Sequence, residues 1–169
     1  MSILRKAREN DAELLAEIGF RAWTLAMGSL GQKDAARKSV RESFRAFTQK
    51  QYLTITVAEQ RNAVLGWAAR EKLDDEVTDL WVDPLWQNQG IGSALLVEME
   101  RQVLAHGQTV SKIQMQATNN IALNFFRKHN YSIEWMSTAW SPKLDADVES
   151  LGLRKSLVDE EPTRYGNEF

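Results

Sequence analysis

One seventeen-residue stretch, Leu80 to Leu96, constrains this chain more than any other. Leu80-Trp81-Val82 is strand-like, and Pro84 ends that strand because proline has no N–H to give to a ladder. Gln87-Asn88-Gln89-Gly90-Ile91-Gly92-Ser93 follows as a loop. Ala94, Leu95, Val97, Met99 and Val103 then mark a helix from Gly92 to about His106. A helix start leaves N–H groups unpaired and carries the positive end of the helix dipole, so it suits an anion. Gly90 and Gly92 let the backbone approach a phosphate closely. The segment lacks the Gly-Lys-Ser/Thr of a phosphate-binding P-loop. Leu95 stands where a dinucleotide fingerprint needs its third glycine. On its own, Gly-x-Gly also suits a plain turn.

The rest of the chain has to supply a sheet around this segment. Ile3 to Ala7 reads as an opening strand. Leu14, Leu15, Ile18, Ala22 and Leu25 line one face of a helix that ends near Gly28. A second helix fits 33–50. β-Branched residues over 53–58, a turn at Arg61-Asn62 and a run from Ala63 to Glu71 make a hairpin. Asp74-Asp75 turns the chain into a strand from Glu76 to Val82. A strand at Lys112–Ala117, a helix at Ile121–His129, and strands at 131–139 and 148–156 complete the order. The expected fold is α/β (α+β): a mixed, mainly antiparallel twisted sheet with helices on both faces. Residues 1–157 read as one domain and 158–169 as an acidic, frayed tail.

Composition narrows the function. With 169 residues and 43% hydrophobic content the chain can bury a full core. A net charge of −2 gives no electrostatic reason to bind nucleic acid or a membrane surface. Cysteine is absent and histidine occurs only at His106 and His129, so neither a thiol nucleophile nor a metal site is expected. The start has no apolar signal core and no apolar run is long enough to span a bilayer, which points to the cytoplasm.

The wider string Val82-x-Pro84-x-x-Gln87-x-x-Gly90-x-Gly92 resembles the acetyl-coenzyme-A motif of the GNAT N-acetyltransferase superfamily. Asn119-x-x-Ala122-x-x-Phe125-Phe126-x-Lys128-x-Asn130-Tyr131 is similar to that family's second motif, and the likeness extends over about 1–157. It implies the GNAT fold, acetyl-coenzyme A as acetyl donor, no metal, and a small-molecule or peptide amine as acceptor, in a monomer or homodimer. Gln87, Asn88, Gln89, Gly90, Ile91, Gly92 and Ser93 would hold the pyrophosphate. Leu80, Trp81 and Val82 would offer backbone donors to the thioester and pantetheine. Asn119, Phe125, Phe126 and Lys128 would line the other side of the groove. Asn88 and Asn130 stand where glycine is usual, and asparagine tolerates left-handed backbone. Phe126 replaces a tyrosine that protonates the leaving thiolate in many members.

Acetyl transfer to an amine also needs a group to take the ammonium proton. Glu76, six residues before Val82, matches the catalytic glutamate of some members. Regular alternation would put 76, 78, 80 and 82 on one face and Asp79, a weaker candidate, on the other. Trp81 and Trp86 flank the loop and are candidates to shape the acceptor site. Two charge signals point to different acceptors. Acidic residues crowd 71–83, inviting a cation. Arg37, Arg41 and Arg45 stripe the second helix, inviting a carboxylate. A non-catalytic acyl-coenzyme-A-binding module is the alternative function. A transferase acting on charged tRNA is disfavoured by the acidic balance.

Overall fold

The computed structural model describes residues 2–142 and 144–159. Its strands are β1 (Ile3–Lys6), β2 (Ile55–Gln60), β3 (Ala63–Ala69), β4 (Glu76–Val77), β5 (Asp79–Val82), β6 (Val110–Gln116), β7 (Ser132–Ser141) and β8 (Ala146–Ser156). Its α-helices are α1 (Ala12–Met27), α2 (Asp34–Gln51), α3 (Ile91–Ala105) and α4 (Asn120–Lys128). The sequence of elements is the expected one, and the boundaries move by a few residues. The tail assigned to 158–169 lies, from residue 160 on, outside the described residues.

The strands form two four-stranded half-sheets, ordered β1-β2-β3-β5 and β4-β6-β8-β7. The first is antiparallel throughout. In the second only β4 and β6 run parallel, the crossover between them passing through α3. One stretch of backbone, 76–82, belongs to both halves. Its first two residues pair with Lys112 and Ile113 of β6. Its last four pair with Gly66 to Ala69 of β3. The expected continuous strand is therefore divided at Thr78, and past that point β5 and β6 part company.

Packing explains why the two halves hold together. One core lies between the first half-sheet and α1 and α2, with Leu15, Ile18, Val57 and Trp67 fully buried. The other lies against α3, with Leu95, Leu96, Met99 and Val103 at 0% exposure. Burying each such side chain contributes about 1.5–3 kcal/mol. Trp67 and Ala69 face the first core while Ala68 faces the second, so β3 is covered on both sides. Helices α1 and α2 approach closely because Gly19 carries no side chain: a Cβ there would sit 2.6 Å from the Phe44 ring. Among the described residues no helix is long and apolar enough to cross a membrane.

Candidate active site

The point where β4 becomes β5 is a β-bulge. Asp79 pairs with Ala69, and the Thr78 N–H also donates to the Ala69 carbonyl at 2.9 Å. Two residues thus oppose one, which bends the strand and resets its alternation. Val77 and Leu80 both face the α3 core, although regular alternation would separate them. Thr78 and Asp79 both line a cavity on the α1/α2 side. The expectation that Asp79 lies on the face opposite residue 78 is therefore corrected. The bulge carries its carboxylate to the cavity, while Glu76 is not among the residues that line it.

The same strand supplies free backbone donors. The Asp83 N–H donates to the Leu65 carbonyl at 2.8 Å, so odd-numbered residues of β5 aim their N–H groups at β3. In an antiparallel pair the direction alternates. The N–H groups of Leu80 and Val82 therefore point the other way, into the gap between β5 and β6. Gly66 makes this arrangement possible. It sits opposite Val82, and a Cβ on it would lie 2.7 Å from the Trp81 carbonyl oxygen.

Below the gap the chain turns through Asp83. This buried carboxylate accepts from the Leu85 N–H at 3.0 Å and from Arg21 of α1 at 3.1 Å. Pro84 to Trp86 form one 3-10 turn, and the loop then reaches α3. Asn88 has φ +61° and Gly90 φ +79°, so two left-handed residues curl the backbone just before the helix. Asn88 adopts the conformation the sequence reading requires of it, as does Asn130 at φ +69°. No side chain caps α3, and its first turn holds no acidic residue. The N–H groups of Ile91, Gly92 and Ser93 are left for an anion. Over Gly90, a Cβ would meet nothing within 4 Å. That open space leaves room for a phosphate, and the residues present fit a pyrophosphate group.

The far wall comes from α4. Asn119 caps that helix, its side-chain oxygen accepting from the Ala122 N–H at 3.1 Å, which leaves its amide N–H groups as donors. Phe125 packs beside Gly92, 3.4 Å from where a Cβ would be. Phe126 turns the other way and is buried in the α3 core. Lys128 is exposed in the last turn of α4. Sequence reasoning missed the link that closes this wall, Ser93 Oγ to His129 Nε2 at 2.9 Å. Only the spacing of His129 after Phe125 on one helix face hinted at it.

The cavity that receives Asp79 has a volume of about 390 Å³ and lies between α1, α2, β5 and the β7–β8 connection. Burial pushes the Asp79 carboxyl above the usual aspartate range, and Glu71 adds to that, against hydrogen bonds from Trp81 and Thr78. Glu76, half-buried, is also raised, first by burial and then by Asp74. Trp81 lies against Phe44 at 5.2 Å, on the cavity side, whereas Trp86 is exposed in its turn. The arginine stripe points elsewhere: Arg41 and Arg37 stack over Phe20, at 4.3 and 5.0 Å, and Arg41 pairs with Glu17 at 3.2 Å.

Solved structures share this architecture. A GCN5-related N-acetyltransferase from Rhodopseudomonas palustris is 19% identical with a TM-score of 0.77, over 93% of this chain and 96% of that one. The PaiA N-acetyltransferase of Thermoplasma acidophilum, solved in complex with coenzyme A, is 16% identical with a TM-score of 0.71, over 92% and 99%. The ribosomal-protein-S18-alanine N-acetyltransferase of Escherichia coli is 18% identical with a TM-score of 0.69, over 98% and 100%. No curated protein matches the chain in sequence. Residues 51–133, which hold the bulged strand, the glycine loop and α4, match the family model described as an acetyltransferase (GNAT) domain. The split sheet, the uncapped α3 and that match lead to one assignment: residues 51–133 are an acetyltransferase (GNAT) domain, set in the fold that the solved N-acetyltransferases share.

Proposed function

We propose that residues 1–157 form one catalytic domain that moves the acetyl group of acetyl-coenzyme A to a primary amine by direct attack. The observation that carries this reading is the gap between β5 and β6, with the Leu80 and Val82 N–H groups aimed into it and the α3 N-terminus below. Fixed donors of this kind favour the oxygen of a reacting carbonyl without having to reorganise. The loop from Gln87 to Ser93 holds the pyrophosphate, and Asn119 and Phe125 border the pantetheine arm.

Neutralising the amine falls to a carboxylate. An alkylammonium has a pKa of ~10.4, so most of it carries an extra proton at neutral pH. Asp79 is the better placed of the two candidates, because its carboxylate lies in the cavity beside the gap. Its raised pKa also makes it a stronger base than an ordinary aspartate. Asp79 takes one proton from the ammonium. The freed lone pair forms the C–N bond, the C–S bond breaks, and the second proton leaves the nitrogen for water or the departing thiolate. Glu76 has a supporting role here, adding negative charge beside the acidic turn.

The test is release of coenzyme-A thiol from acetyl-coenzyme A with a panel of amines. Turnover that falls roughly 10²–10⁴-fold in Asp79→Asn, and under tenfold in Glu76→Gln, supports the assignment. Tight coenzyme binding with no thiol release from any amine would instead assign the chain as a binding module. The absence of a tyrosine at position 126 favours that second reading.

A further inference from the structure

We infer that the cavity holding Asp79 takes a primary amine on an apolar body of aromatic size that bears no carboxylate. This rests on the acetyl-transfer reading above and names the class of its acceptor. At about 390 Å³ the cavity lies within the ~300–1,000 Å³ range of small-molecule sites. Its apolar wall is made by Trp23 of α1, by Val40, Phe44 and Phe47 of α2, and by Leu144. The Phe44 ring meets Trp67 and Trp81 edge-on at 6.3 and 5.2 Å, and Phe47 stacks on Trp67 at 6.0 Å. Rings packed against one another in this way hold that wall in place, and a flat or bulky apolar group buries more of itself against it than a slim chain does.

Charge gathers at one end. Asp79, Thr78 and Glu71 lie together there, with the Glu71 N–H donating to Thr78 Oγ1 at 3.1 Å. Every ionisable side chain among the described lining residues is a carboxylate. An ammonium is drawn to that end, next to the gap, and an acceptor carboxylate is repelled from it. The arginines that favoured a carboxylate-bearing acceptor lie one position round α2, where Phe20 and Glu17 engage them. A polyamine would place its further ammonium groups against Val40, Phe44 and Leu144, losing water with no carboxylate in return.

Three probes separate these cases: 2-phenylethylamine, phenylalanine, which adds only a carboxylate, and spermidine. Thiol release is measured with acetyl-coenzyme A saturating, and 2-phenylethylamine binding is titrated separately by tryptophan fluorescence. The expected kcat/KM for 2-phenylethylamine exceeds that for either other amine by tenfold or more. Ser43→Arg, which adds a cation to the wall from a half-exposed helix position, should shift the preference at least tenfold toward phenylalanine. Equal or better use of phenylalanine or spermidine by the unaltered protein would overturn the inference. If no amine turns over, the titration decides. Saturable binding of 2-phenylethylamine, weakened in Ser43→Arg, upholds the ligand class while removing the transferase reading. Absence of binding to the acetyl-coenzyme-A-loaded protein overturns the class. Failure to bind acetyl-coenzyme A at all overturns the transferase reading itself.

Discussion

The indole Nε1–H of Trp81 donates to a carboxylate oxygen of Asp79 at 3.0 Å. The two residues stand two apart on β5, on the face that meets α1 and α2. The indole thus fixes the carboxylate's direction and favours its charged form, while burial favours the neutral form. Replacing Trp81 with Phe removes the donor and leaves a ring against Phe44. The Asp79 pKa should then rise further. If Asp79 is the proton acceptor, the acid limb of the kcat/KM–pH profile moves to higher pH in Trp81→Phe. A limb that stays in place would take Asp79 out of the reaction.

The same carboxylate has a cost for stability. Its pKa in the folded chain is above the unfolded value of about 3.8, so the folded state binds more protons as pH rises through that window. Stability therefore falls as pH rises through it and stays lower above it. Asp79→Asn removes the penalty and keeps an acceptor for the Trp81 N–H. At pH 7 the variant should melt measurably higher than the parent. Near pH 3, where both states are protonated, the difference should vanish. Calorimetric melts of the two proteins at both pH values check this.

At Gly90 the prediction concerns binding alone. Its φ of +79° suits glycine, and the space above it is open. A valine there strains the backbone by roughly 1–2 kcal/mol and puts its methyl groups where a phosphate must approach. Gly90→Val should weaken acetyl-coenzyme-A binding by about a hundredfold or more in titration calorimetry. Asn88→Gly, at φ +61°, should leave it unchanged within about threefold, since glycine adopts that conformation freely.

How far the sequence speaks for itself differs from element to element. The loop was legible because Pro84, Gly90 and Gly92 leave the backbone few choices, and the left-handed Asn88 followed from the same logic. The helices were legible from their period. The bulge at Thr78 was not, because it is set by the Ala69 carbonyl, a partner nine residues away whose register no local pattern encodes. Strict alternation therefore put Thr78 on the face of Leu80 and Val82, when it lies beside Asp79 on the other. The arginine stripe was ambiguous for a similar reason. A row of cations at four-residue spacing looks the same in sequence whether it meets a ligand or, as here, Phe20 and Glu17 of the neighbouring helix.

The last prediction concerns the proton that the leaving thiolate needs. Phe126 has no hydroxyl, and Tyr131 cannot replace it. Its ring is buried in the α3 core, and its hydroxyl donates to Glu100 at 3.1 Å and accepts from Ser111 at 2.8 Å. Burial holds its pKa far above the ordinary tyrosine value, with the nearby Glu100 adding to that. Tyr52 packs against the first core, by the end of α2. No described tyrosine therefore reaches the gap, and the prediction is that departure proceeds as thiolate or with help from water. A thiol with pKa near ~8.5 tolerates this. Activity should rise with pH to a plateau, without the fall near pH ~10 that a phenolic acid would impose. Tyr131→Phe should leave that profile unchanged, while costing about 1–3 kcal/mol of stability, because Glu100 and Ser111 lose a partner in the core. A fall on the alkaline side that disappears in Tyr131→Phe would give the tyrosine the acid role and require the core around it to open.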